Sequence, residues 1–348
     1  MKDAKLYREQ ELAFRTQYSE LKERVLANAP ILPGTPGTLT IRDGSGNPYW
    51  YRVFNSVPAK QTEELVCKPD EVEKLQAMRE RITFAEWVAQ QVSSLRKLGF
   101  QVADKNTARV LVELHNKGAF DAGLVLVGSL GFMAWLNELG AIAVTARTED
   151  VDLARRQQLK LATPLAFLST LQATGMPFCA VPGMPSSQPA TAVKLPGAQG
   201  LRVDILAPGE VLGAIVKVPE LDWAAQAIPY YGYLLEDPEP AAMLAGWQCI
   251  PVRLPQPARF VWHKLYSSLH RRGFPEKAEK DRQQAFVLAA VLLATEPLAL
   301  SQAFAALPAE MAGELRKNAQ VFLTRAAGQT ELSEALAHCL DLPQAPAH

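Results

Sequence analysis

Asp150 and Asp152 stand one residue apart in the stretch Thr148-Glu149-Asp150-Val151-Asp152-Leu153. Read as a strand, this stretch turns both carboxylates to one face and Val151 and Leu153 to the other. Two carboxylates side by side repel each other. A hard divalent cation, Mg²⁺ or Mn²⁺, removes that conflict, because it takes oxygen ligands and commonly shares them with substrate phosphates. Leu201-Arg202-Val203-Asp204-Ile205-Leu206 repeats the alternation. There Val203 and Ile205 would face a core, and Asp204 would face the other way beside Arg202. Were the two strands neighbours, Asp204 would complete a carboxylate trio. Such a trio can hold two metals, one activating a hydroxyl and one steadying a triphosphate.

A third stretch, Leu126-Val127-Gly128-Ser129, reads as a strand running into a helix. A helix N-terminus presents free backbone N–H groups and positive partial charge, which suit a phosphate. Gly128 would let the backbone approach closely, and Ser129 could cap the helix or donate its hydroxyl to a phosphate oxygen. Each piece taken singly has a plainer reading: a turn with its cap, a solvated strand end, and a salt bridge between Asp204 and Arg202. The order and context of the three together favour the chemical one. Downstream, Ala258 to Arg282 holds seven Lys or Arg against three acids in a chain whose 36 basic and 36 acidic residues cancel. On one helix, Lys264 would lie beside the apolar stripe of Phe260, Val261 and Leu265, with its ammonium reaching into a cleft. Lys264 and Arg271 are thus candidates to bind a nucleotide's phosphates, with Arg271 and Arg272 mattering more for a phosphate-bearing acceptor. The plainer reading is a solvated basic face.

The elements that must position these residues follow from periodicity and turn chemistry. Residues 5–27 read as an amphipathic helix. A hairpin follows, with strands Leu39–Ile41 and Tyr49–Phe54, then a helix at 69–98. Between 101 and 210, helices at 108–117, 130–139 and 164–174 interleave with strands at 124–127, 141–146, 151–154, 178–181, 191–195 and 201–206. That alternation marks an α/β unit. Later strands are expected at Tyr230–Leu235 and Gln248–Leu254, and helices at 258–271, 276–295, 307–327 and 330–340. The expected class is α+β in three regions: a helix and hairpin to 100, an α/β core over 101–210, and a mostly helical part over 211–348.

Composition excludes other classes. With 48% hydrophobic and 21% charged residues in 348, the chain can bury a sizeable core. Zero net charge argues against a histone-like binder of nucleic acid. The four cysteines lie far apart and form no C-x-x-C pair, which argues against a disulfide scaffold or a Cys-rich zinc site. His263 and His270 share a helix face without a nearby third ligand. A charged N-terminus and short apolar runs point to a cytoplasmic protein without a membrane segment.

The order strand, Gly-Ser, helix, D-x-D strand and later carboxylate strand resembles the nucleotidyltransferase fold of the DNA polymerase β superfamily. More narrowly, the chain is similar to a bacterial group with a Tyr-rich upstream hairpin, here Tyr49-Trp50-Tyr51. The group also carries a downstream helix, here Pro257 to Leu265, followed by Lys280-Asp281. One departure is the interval of twenty residues between Ser129 and Asp150, longer than usual, which an extra strand over 140–147 would fill. The resemblance implies a metal-dependent enzyme that moves a nucleoside monophosphate from a nucleoside triphosphate such as ATP to an acceptor hydroxyl. That acceptor would be on RNA, a protein or a small molecule, in a toxin-like or defence-like setting. Asp150, Asp152 and Asp204 would be catalytic and hold the metal, while Gly128, Ser129, Lys264 and Arg271 would bind the nucleotide. The competing reading is a non-catalytic protein that keeps the fold and binds a protein or RNA partner. Oligomeric state is left open.

Overall fold

The computed structural model describes residues 5–28, 30–44, 46–57, 60–144, 150–271 and 273–341. Thr148, Glu149, Arg272 and the end of the expected 141–146 strand lie outside them. The N-terminal part comprises β1 (Arg8–Glu9), α1 (Leu12–Leu26), β2 (Thr38–Gly44), β3 (Asn47–Val57), β4 (Lys60–Cys67) and α2 (Val72–Lys97). The central part runs through α3 (Lys105–Asn116), β5 (Leu124–Leu126), α4 (Gly128–Glu138), β6 (Ala141–Ile142), β7 (Asp150–Arg155) and α5 (Phe167–Ala173). It continues with β8 (Cys179–Ala180), β9 (Ala192–Lys194) and β10 (Arg202–Pro208). After it come β11 (Ile215–Val218), β12 (Trp223–Ile228), α6 (Tyr231–Leu234), β13 (Glu239–Ala245) and β14 (Gln248–Leu254). The chain closes with α7 (Pro257–His270), α8 (Pro275–Thr295), α9 (Ala299–Ala305), α10 (Ala309–Lys317), α11 (Ala319–Ala326) and α12 (Thr330–Cys339). The fold is α+β.

Among the described residues, seven strands form the central sheet. Its main path is β11-β12-β10-β7-β5, with β9 joining β10 and β8 joining β9. β10 lies parallel to β7 and β12, and β5 lies antiparallel to β7. The sheet therefore runs past residue 210 to Ile228. Val151, Leu153, Val203 and Ile205 are fully buried beneath it, as their alternation with the aspartates requires.

Several expected elements differ. Tyr230–Leu235 is not a strand: Tyr230 takes a left-handed φ of 60°, and Tyr231 to Leu234 make one helical turn. Tyr231, Leu234 and Leu235 are all buried there, so packing at helical spacing overrides the β propensity of the aromatics. The first helix begins only at Leu12, because Arg8–Glu9 instead pairs with Ala141–Ile142. That pairing also shows where β6 goes: to the N-terminal segment, not into the central sheet. β4 turns the hairpin into a three-stranded sheet, and its run of Lys, Gln and Glu gave no apolar signal. The sequence pattern likewise predicts none of β11, β12, β13 and α9, and the expected helix over 307–327 breaks at Asn318 into two.

The C-terminal helices dock by apolar burial. Phe260, Val261, Trp262 and Leu265 of α7 are buried, each contributing about 1.5–3 kcal/mol. The Trp262 indole N–H also donates to Leu300 O at 2.9 Å, tying α7 to α9.

Candidate active site

β7 and β10 pair in parallel with Asp204 opposite Asp152 and Arg202 opposite Asp150. Side chains at paired positions share a sheet face, so the three aspartates stand together above the core. Gly128 lies on the same side. Its φ is +65°, and a Cβ added there would stand 2.9 Å from the Asp152 carboxyl carbon and overlap its Oδ2. The Val127 N–H donates to Asp152 O at 3.0 Å, which locks the strand-to-helix turn onto β7. The long interval between Ser129 and Asp150 therefore does not separate the Gly-Ser turn from the aspartates.

The electrostatics of the cluster are unbalanced. Burial, and then the charges of Asp204 and Asp150, push the Asp152 pKa up to about 6, against a downward pull from Lys264 and Arg271. Asp204 gives both oxygens to Arg202, accepting from Nε at 2.7 Å and from Nη2 at 2.8 Å. The plain reading of Asp204 as a salt-bridge partner is thus realised in this state. Among the described residues, no three carboxylate, imidazole or thiolate groups are gathered tightly enough to hold a metal ion as they stand. The donor set nevertheless fits Mg²⁺ or Mn²⁺. It consists of carboxylate oxygens on one face, with a glycine leaving room beside Asp152.

A second charged cluster faces the first. Asp281 on α8 accepts from Lys264 Nζ at 2.8 Å and from Arg271 Nε at 3.0 Å. Burial alone would raise the Asp281 pKa; the two cations outweigh it and hold the carboxyl below its usual range. Lys264 is only 7% exposed, with its ammonium 5.0 Å from the Phe260 ring centre. The sequence led us to expect a mobile ammonium in a cleft. The structure instead pins Lys264 between Asp281 and Phe260, because an unpartnered ammonium at that depth would be too costly. Arg271 is the more accessible of the two, and both cations act electrostatically on Asp152.

Two further residues belong to this region without having been singled out. Gln284, on the same face of α8 as Asp281, reaches Ser129 Oγ with its amide nitrogen at 3.5 Å. It is buried, and its amide oxygen has no partner among the described residues. The i, i+3 spacing from Asp281 was the available signal. Tyr231 is also buried here, and its phenol pKa is raised by burial and then by the Asp152 charge.

A family model described as nucleotidyltransferase matches residues 105–308, more than half of the chain. The chain belongs to that nucleotidyltransferase family, and the family supports a nucleotidyl transfer function. The match begins at α3 and ends after α9, so it takes in the carboxylate strands, the Gly-Ser turn and the Lys264–Asp281 pair. Among solved structures, an antigenic nucleotidyltransferase-like protein from Paracoccidioides brasiliensis matches at 14% identity and a TM-score of 0.34. That alignment covers 66% of this chain and 91% of the other. No curated protein matches the chain. Among the described residues, no single helix is long and apolar enough to cross a membrane.

Proposed function

We propose that the chain transfers a nucleoside monophosphate from a nucleoside triphosphate to an acceptor hydroxyl, with Mg²⁺ or Mn²⁺ held by Asp150 and Asp152 and, on the acceptor side, by Asp204. The observation that carries this reading is the pairing of Asp204 with Asp152, with Gly128 cleared beside them. A bound divalent cation would neutralise phosphate charge and lower the acceptor hydroxyl's pKa.

The chain's own residues have distinct tasks. Gly128 and the first turn of α4 offer backbone N–H groups to the β- and γ-phosphates, and Ser129 adds its hydroxyl. Arg271 reaches the phosphates from α7's end. Lys264, fixed by Asp281, supplies positive potential without moving. Asp204 accepts the acceptor's proton once Arg202 releases it, and the freed Arg202 guanidinium is then available to a phosphate oxygen. Positioning and charge stabilisation supply most of the rate. RNA, a protein hydroxyl and a small molecule are the acceptor classes this chemistry admits.

Calorimetry with Mn²⁺ and a non-hydrolysable triphosphate tests the site directly. Binding of the pair, lost in Asp150→Asn and Asp152→Asn, is the expected result. Unchanged binding in both variants would overturn the assignment.

A further inference from the structure

A pocket of about 270 Å³ lies apart from the aspartates, where the N-terminal sheet meets α3, the end of α5 and the β13–β14 turn. That volume is near the low end of the roughly 300–1,000 Å³ typical of small-molecule sites. None of its lining residues belongs to the carboxylate site.

The pocket is cationic by construction. Arg109 is 9% exposed and anchored by backbone and amide oxygens, donating to Ser56 O at 2.6 Å and to Asn106 Oδ1 at 3.0 Å. No carboxylate is ion-paired with it among the described residues; burial lowers its pKa against an upward pull from the Asp104 charge. Lys105 holds its ammonium 5.1 Å from the Trp247 ring centre. Lys60 also lines the pocket, its Nζ 3.7 Å from where a Cβ on Gly175 would be. Neither lysine is ion-paired among the described residues. The acid at the wall, Glu113, is 3.9 Å from Lys117; burial raises its pKa and Lys117 pulls it down. Trp247 is held in place by its indole N–H, which donates to Gly34 O at 3.1 Å.

Three cations around one fixed indole call for a ligand that is both anionic and aromatic. We infer that this pocket binds a nucleotide unit, with its phosphate between Lys60 and Lys105 and its base on the Trp247 ring. A phosphate gives Lys105 the anion it lacks and draws its ammonium off the indole face, which the base then covers. Glu113, also in the lining, would accept from a sugar hydroxyl or an exocyclic amine. The nucleotide is either free or the end unit of a single strand. This inference does not rest on the reading of the carboxylate site.

Two probes separate the sources: AMP, and a 5′-phosphorylated single-stranded RNA hexamer, each titrated into the full chain by calorimetry. The variant is Lys60→Glu with Lys105→Glu, both on exposed side chains, while buried Arg109 is left in place. Binding of either probe to wild type should weaken by roughly tenfold or more in the variant, and should fall with added salt. It should persist in Asp150→Asn, which touches only the carboxylate site. AMP binding with equal or weaker hexamer binding marks a free-nucleotide site; tighter hexamer binding marks a strand-end site. Absence of binding by both probes to wild type, or equal affinity in wild type and the lysine variant, would overturn the inference.

Discussion

Gly128 and Asp152 approach so closely that no residue with a side chain fits at position 128. The missing Cβ would overlap the Asp152 carboxylate, and the backbone there has φ +65°. The turn that presents α4's N-terminus and the carboxylate that lies beside it are thus one structural unit.

Gly128→Ala should therefore act on both. It adds strain of about 1–3 kcal/mol and forces the Asp152 carboxylate from its place. The expected outcome is a lowered melting temperature together with loss of Mn²⁺–triphosphate binding at temperatures where the variant is still folded. Retained binding in a folded Gly128→Ala protein would separate the turn from the site.

Asp152 sets a pH dependence in the metal-free protein. Its folded pKa, about 6, lies above the 3.8 of an unperturbed aspartate. The folded state therefore holds the proton more tightly than the unfolded state, so stability falls as pH rises from about 4 to about 6 and then levels off. The full cost above that window is on the order of 1–3 kcal/mol. Asp152→Asn should remove this term and melt higher than wild type at pH 7.5, while abolishing transfer. Thermal melts at pH 5 and 7.5, with chelator present, check both halves. A variant that melts well below wild type at pH 7.5 would make Asp152 a structural partner.

Lys264 should matter to folding as well as to binding. Removing it leaves the buried Asp281 with Arg271 alone, and breaking a buried pair typically costs about 3–5 kcal/mol. Because Arg271 remains, Lys264→Ala should cost toward the lower end of that range. Lys264→Met with Asp281→Leu should recover much of the loss, since neither charge is then stranded. Denaturant melts of the single and double variants measure this. A single variant as stable as wild type would return Lys264 to a solvated role.

Arg202 holds Asp204 in a two-point fork and so competes with any cation for the same oxygens. Arg202→Ala should tighten Mn²⁺ binding in the absence of nucleotide, while slowing transfer by removing a phosphate contact. Unchanged Mn²⁺ affinity would mean that Asp204 does not reach the metal.

Much of this arrangement was legible because strands have a period of two. Val151, Leu153, Val203 and Ile205 name the buried face, and the aspartates follow on the other. Pairing of β7 with β10 was not legible, since 46 residues lie between Leu153 and Gly200 and local pattern says nothing of partners across such a gap. Alanine-rich β12 and β13 escaped notice because alanine favours helix and only burial by neighbours makes those segments strands. At α7 the spacing of Phe260, Val261 and Leu265 defines the apolar stripe, yet it does not define the depth of Lys264. A lysine beside a stripe snorkels or is buried according to whether an acid waits nearby, and Asp281 sits on another helix.

The central claim is nucleotidyl transfer at the Asp150–Asp152–Asp204 face. The most direct measurement incubates the protein with Mg²⁺, total cell RNA and protein, and each nucleoside triphosphate labelled either at the α- or at the γ-phosphate. The account predicts transfer of the α-label to an acceptor for at least one triphosphate, with pyrophosphate released and no transfer in Asp150→Asn. Transfer of the γ-label, or α-label transfer that persists undiminished in Asp150→Asn, would contradict it.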